Sequence, residues 1–135
     1  MKLLGIDYGK KRIGCAVTDQ TGTVIRSLPT IVRTRKTSLL DEVCTLIENE
    51  KPHALVFGVP LGYNEQETAM SREIRAFAAE VQKRTEVPVH FIDESLTSQA
   101  AEKMLQSRKK KHRKDKKNID RIAACLILDA FNKEQ

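Results

Sequence analysis

Four acidic residues of this 135-residue chain stand where an apolar run begins or ends, and a carboxylate at such a place can do chemistry. Asp7 closes the run Leu3–Ile6, Asp93 and Glu94 follow His90-Phe91-Ile92, and Asp120 opens the apolar pattern of the last helix. Ligands of α/β sheets bind outside the carboxyl ends of the strands. If these ends converge, the carboxylates repel one another unless cations bind, and an oxygen-only donor set suits Mg²⁺ or Mn²⁺. Two such ions about 3.5–4 Å apart activate a water and stabilise the leaving oxygen of a phosphodiester. Ordinary explanations stand beside this one. Asp120 at the second position of its helix would meet the macrodipole favourably, and Asp93 or Glu94 would serve as a cap for a following helix. Asp7 has the weakest ordinary explanation, because an acid at the rim of a central strand loses hydration unless it is partnered.

The second chemical signal is charge. The formal net charge is +6, yet residues 107–117 hold eight cations (Arg108, Lys109, Lys110, Lys111, Arg113, Lys114, Lys116, Lys117) against Asp115. The remaining 16 basic and 17 acidic residues nearly cancel, so the basicity is one focused patch. A terminal run of this kind is often a solvated tail. An internal one between two helical patterns reads as a loop that grips a polyanion. Lys11 and Arg12, just past Asp7, are placed to contact phosphates near the acids.

Other chemistries find little support. Cys15, Cys44 and Cys125 are odd in number, far apart and set among apolar neighbours, which reads as three buried thiols. His53, His90 and His112 show no metal-binding spacing. A charge at residue seven leaves no signal-peptide core, and no apolar run is of membrane-spanning length, so the expected location is the cytoplasm. The length suits one domain, expected over 1–135, able to bury about two-thirds of its unfolded surface.

The elements that must position the acids follow from periodicity. Residues 3–7 and 12–18 read as strands joined by a tight turn, and residues 23–34 as a third, interrupted at Pro29. Ser38 caps a helix with Leu39, Leu40, Val43, Leu46 and Ile47 on one face. Residues 54–59 (ALVFGV) have the continuous apolar character of a strand covered on both sides. A helix over 67–84 and a strand over 87–92 complete a βαβ unit. A helix capped by Thr97 or Ser98 runs to Gln106, and Asn118 caps a last helix that presents Ile119, Ile122, Ala123, Leu126 and Ala130 on one side. Asp120 shares a face with Ala123, Ala124 and Ile127, whose small members let that helix lie close to the sheet. The predicted order is βββαβαβαα: an α/β mixed sheet with an antiparallel three-stranded meander and helices on both faces.

The stretches GIDYGKKRIGCAVTD, VFGVPLGY, HFIDESLTSQAAE and NIDRIAACLILDAF, in this order and with the Lys-rich run between the last two, resemble the YqgF/RuvX family. That family is similar to the RuvC resolvases and has an RNase H-like fold. The resemblance implies a divalent-metal-dependent nuclease, with processing of the 5′ end of pre-16S rRNA as its role and resolution of Holliday junctions as the alternative. Carried over, the acidic positions of the family fall on Asp7, Glu94 with neighbouring Asp93, and Asp120, the same acids reached from their placement. Two departures stand out: Ser95 where the family usually has Arg after the acidic pair, and Gly62-Tyr63-Asn64-Glu65-Gln66 where an Asp-Gly or Asn-Gly type loop is usual.

The expected catalytic and metal set is therefore Asp7, Glu94 and Asp120, with Asp93 as a further candidate ligand. The expected partner is pre-rRNA, with branched DNA as the other substrate, and the expected assembly is a monomer or homodimer. Two rivals come from other classes. A Gly-Ile-Asp-x-Gly turn also resembles the first phosphate loop of the actin-like and sugar-kinase ATPases, which need two lobes where this chain supplies one. An RNA-binding assembly factor without catalysis would need the basic loop alone.

Overall fold

The computed structural model describes residues 1–34, 38–62, 64, 66–94 and 116–134, and for 116–121 it describes the backbone alone. Three strands open the chain: β1 (Leu3–Tyr8), β2 (Arg12–Thr18) and β3 (Ile25–Val32). Helix α1 (Leu39–Glu50), strand β4 (Ala54–Val59), helix α2 (Ala69–Gln82), strand β5 (Val89–Asp93) and helix α3 (Lys116–Glu134) follow. The five strands form one sheet in the order β3-β2-β1-β4-β5. β1 pairs antiparallel with β2 and parallel with β4, and β4 pairs parallel with β5. The meander and the mixed sheet are as the sequence predicted, and β1 occupies the centre.

Local chemistry sets the ends of these elements. Ser38 caps α1 by accepting from the Asp41 amide, as expected. Thr68 caps α2 and forms a reciprocal pair with Ser71, so this helix starts two residues later than its apolar pattern. Pro29 lies where the β2–β3 register slips, Ile13 facing Ile31 but Cys15 facing Leu28, so β3 carries an extra residue there. An edge strand tolerates such a bulge and its proline.

Helices cover both faces. Leu4, Ile6, Leu55, Phe57 and Val59 pack with Val43 and Ile47 of α1 and Ile74 and Ala78 of α2. Leu3, Ala16, Val56 and Ile92 pack with Ala124, Ile127, Leu128 and Phe131 of α3. Among the described residues no helix is long and apolar enough to cross a membrane.

Three expectations change. Asn118 is the third residue of α3 rather than its cap, because Lys116 and Lys117 are themselves good helix formers and the helix takes them in. The basic segment expected as a loop over 107–117 therefore ends in helix. Cys125 is half-buried, whereas Cys15 and Cys44 are buried. The helix expected over 97–106 and the cations Arg108, Lys109, Lys110, Lys111, Arg113 and Lys114 lie outside the described residues, as does Ser95.

Candidate functional site

Strand alternation decides which acids can meet. In the parallel ladder Gly5 faces Val56 and Ile6 faces Phe57, so Asp7 falls level with Gly58 on the side that α3 covers. Gly58 faces Ile92 and Val59 faces Asp93. Ile92 belongs to the cluster under α3, while Val59 belongs to the opposite core. Asp93 therefore lies on the face of α1 and α2, and Glu94, one residue on, returns to the face of Asp7. The Glu94 amide donates to the Val59 carbonyl at 2.9 Å, which extends the strand's geometry by the residue needed.

Asp7 and Glu94 come from strands separated by β4, about 10 Å apart at the backbone. Gly58 lies between them. A Cβ there would collide with Glu94 Oε2 and stand 2.6 Å from Ile127 Cδ1. Without that side chain, Glu94 crosses over β4 and its carboxyl hydrogen-bonds that of Asp7. Burial raises the Glu94 carboxyl above the ordinary carboxylate range, the contact with Asp7 pulls it down, and the neighbouring Asp93 charge adds to the rise. Gly58 is not among the residues singled out by type and spacing, although a glycine inside an otherwise apolar strand is the signal of a close approach.

Asp7 also acts on the core behind it. The Cys15 thiol, opposite Ile6 in β2, is pushed up to about 12 by burial and then by the Asp7 charge. Such a thiol is inert at neutral pH.

Helix α3 crosses β1 at Gly5, where a Cβ would meet Leu128 Cγ at 2.7 Å and the Ala124 carbonyl oxygen at 3.0 Å. Its far end is tied down by Asn132 Nδ2, which donates to the Gly22 carbonyl at 2.6 Å, next to the start of β1. The helix thus runs antiparallel to β1, with its N-terminal half toward Asp7. Two strand residues, Gly5 to Asp7, span about 7 Å, and one helical turn back from Ala124 to Asp120 spans about 6 Å. Position 120 accordingly lies at the level of Asp7, on the helix face of Ala124 and Ile127. As the fifth residue of α3 it also lies beyond the first turn, where the macrodipole acts most strongly. The explanation expected for an acid at the second helical position therefore does not apply.

The turn between β1 and β2 opens at this same end of the sheet. Gly9 donates to the Arg12 carbonyl at 2.9 Å, and a Cβ on Gly9 would stand 2.6 Å from that oxygen. This tight return leaves Lys10 and Lys11 exposed and Arg12 half-buried beside the acids. Lys116 and Lys117 belong to the first turn of α3. Among the described residues no group of three metal-ligating side chains stands together. The Asp7–Glu94 pair is a hard, oxygen-only donor set at a strand end, and two carboxyls in contact, with Glu94 largely desolvated, fit a divalent cation.

A five-stranded mixed sheet of this order, with α3 on one face and α1 and α2 on the other, and with acids at the ends of its parallel strands, is an RNase H-like domain. Two solved structures share the fold across 99% of this chain: RuvC of Thermus thermophilus in complex with a Holliday junction substrate (TM-score 0.60, 15% identity, 95% of that chain) and a fowlpox virus resolvase with its Holliday junction DNA (TM-score 0.62, 12% identity, 98% of that chain). The chain belongs to the RuvX family, whose model, described as "RuvX: Holliday junction resolvase", matches residues 1–133. A curated relative from Maridesulfovibrio salexigens named "Putative pre-16S rRNA nuclease" is 38% identical over 131 residues, 97% of each chain. One of the same name from Synechococcus elongatus is 33% identical over 132 residues, 98% of this chain and 89% of its own.

Proposed function

We propose that this chain is a divalent-metal-dependent nuclease that hydrolyses phosphodiester bonds in processing the 5′ end of pre-16S rRNA, with Asp7, Glu94 and Asp120 as its catalytic acids and metal ligands. The observation that carries the reading is the meeting of Asp7 and Glu94 across Gly58. The names of the curated relatives support RNA as substrate.

Each part of the chain has its own task. Asp7, on the central strand, is the fixed point of the site, since it pairs with Gly14 of β2 and directly follows the last residue of the β1–β4 ladder. Glu94 brings a second carboxyl to it, and α3 brings position 120 to the same level. Asp93, on the opposite face, stays outside the ligand set and bears on Glu94 through its charge. When bound at these acids, Mg²⁺ or Mn²⁺ supplies Lewis-acid activation of water and neutralises charge on the leaving oxygen. Lys11 and Arg12 contact phosphates close to the cut, and the cations from Arg108 to Lys117 hold the strand further out. Contacts of this kind position a backbone without reading sequence, and they weaken steeply with salt.

The test is cleavage of an RNA carrying the 16S leader with Mg²⁺, beside a single strand and a four-way DNA junction. Asp7→Asn is expected to lose at least about a hundredfold in kcat while retaining RNA binding. Undiminished cleavage by Asp7→Asn overturns the site. Preferential cutting of the junction transfers the reading to a resolvase, and binding without cleavage by the wild type transfers it to an RNA-binding assembly factor.

A further inference from the structure

Tyr8 follows Asp7 and so faces the other side of the sheet, where a second cleft opens at the same end of β1. It encloses about 360 Å³ and is lined by Tyr8, Arg33, Thr34, Leu39, Leu40 and Phe77. Its apolar wall is firm: the Tyr8 ring, 8% exposed, packs 4.9 Å from the half-buried Phe77 ring. Its polar side carries a cation, since the exposed Arg33 reaches the Tyr8 hydroxyl with Nη2 at 3.5 Å. Tyr8 also hydrogen-bonds Glu73, so its hydroxyl is held between that carboxylate and the guanidinium. An aromatic wall beside a guanidinium matches a ligand that is flat and apolar at one end and anionic at the other. A nucleotide has that form.

We propose that this cleft is a nucleotide subsite, seating an unpaired nucleotide of the strand being cut with its base against Phe77 and its phosphate toward Arg33. The proposal rests on the nuclease reading above and adds what selects the strand. Consecutive residues of β1 head the two sites, so a strand rounding the end of β1 reaches both. The chain has no Trp and only two Tyr and four Phe, and two of those six rings meet at this cleft. Stacking on an aromatic ring accepts any base but requires it to be unstacked, so the cleft favours single-stranded segments over continuous duplex.

The experiment uses Arg33→Gln, an exposed position, and Phe77→Leu, which keeps an apolar wall. Binding of a labelled single strand from the 16S leader is measured by anisotropy in chelator, and cleavage is measured with Mg²⁺. Both variants are expected to raise Kd and KM about tenfold with kcat within about twofold. A 4-thiouridine strand is expected to photocrosslink to the peptide containing Phe77. Unchanged Kd and KM in both variants overturn the subsite, as does a wild type that binds no single strand. Because binding is read without metal, the two readings fail separately. Full cleavage by Asp7→Asn sinks the carboxylate assignment and leaves the Kd comparison standing, whereas variants that bind like wild type while Asp7→Asn is inactive sink the subsite alone.

Discussion

The two faces of the sheet are built on opposite plans, although they are made from alternate residues of the same strands. Leu4, Ile6 and Tyr8 of β1 and Leu55, Phe57 and Val59 of β4 fill the space beneath α1 and α2 with large side chains. Leu3, Gly5 and Asp7 of β1 and Ala54, Val56 and Gly58 of β4 face α3, and two of those six positions have no side chain. The first face gains stability from apolar volume removed from water. On the second, volume is given up so that backbone and helix approach closely, and the space at the strand ends is occupied by carboxyls. Separating the two roles lets a small domain hold destabilising acids beside a core that does not depend on them.

Substitutions on the two faces should therefore fail in different ways. The largest loss of stability is expected from Phe57→Ala, which empties a fully buried site under α2 and costs about 3–5 kcal/mol. Urea denaturation reads that cost, and cleavage per folded molecule should remain near that of wild type. If activity fell with the population of folded protein held constant, the two faces would be coupled and the division wrong. Gly58→Ala, the next residue but on the other face, is expected to cost less, about 1–3 kcal/mol of overpacking. Its Cβ meets Glu94 and Ile127 together, so Glu94 must leave Asp7. Cleavage should fall by about tenfold or more in protein that is still folded at assay temperature. Cleavage at the wild-type rate would mean that Glu94 acts from some other position.

How far the sequence alone discloses this arrangement differs by residue. The period-2 and helical patterns disclosed the strands, α1, α2 and the two-sided sheet, because burial dictates apolar spacing. Asp7, Glu94 and Asp120 were singled out by their place at element ends. The residues alone left Asp93 and Glu94 open and the family resemblance put Glu94 first; their faces were not legible, because adjacent acids differ only in strand phase, and phase depends on where β5 pairs with β4. Gly58 was overlooked because its role is fixed by Ile127 and Glu94, residues 69 and 36 positions away. The start of α3 was misjudged at Asn118, since a good capping residue also lies inside a helix when Lys116 and Lys117 extend it.

The smallest effect is the most discriminating, because its sign is opposite to that of a core mutation. In metal-free protein, burial raises the Glu94 carboxyl above its ordinary value, and Asp93 adds to the rise. The folded state then binds this proton more tightly than the unfolded state. Its contribution is favourable in acid and is lost as pH climbs out of the ordinary carboxylate range through the raised folded value. At neutral pH an ionised Glu94 therefore burdens the apo fold, and Glu94→Gln, which cannot ionise, removes the burden. The variant's melting midpoint in chelator at pH 7 is expected to exceed that of wild type by on the order of 3 °C, and the advantage should shrink as the pH is lowered to about 4. Adding Mg²⁺ should reverse the order, since a cation that binds only the folded state stabilises the chain with the full set of acids more than the one in which an amide replaces Glu94. A variant that melts below wild type at pH 7 in chelator would show that Glu94 supports the fold as Phe57 does, and the contrast between the two faces would then be one of residue size alone.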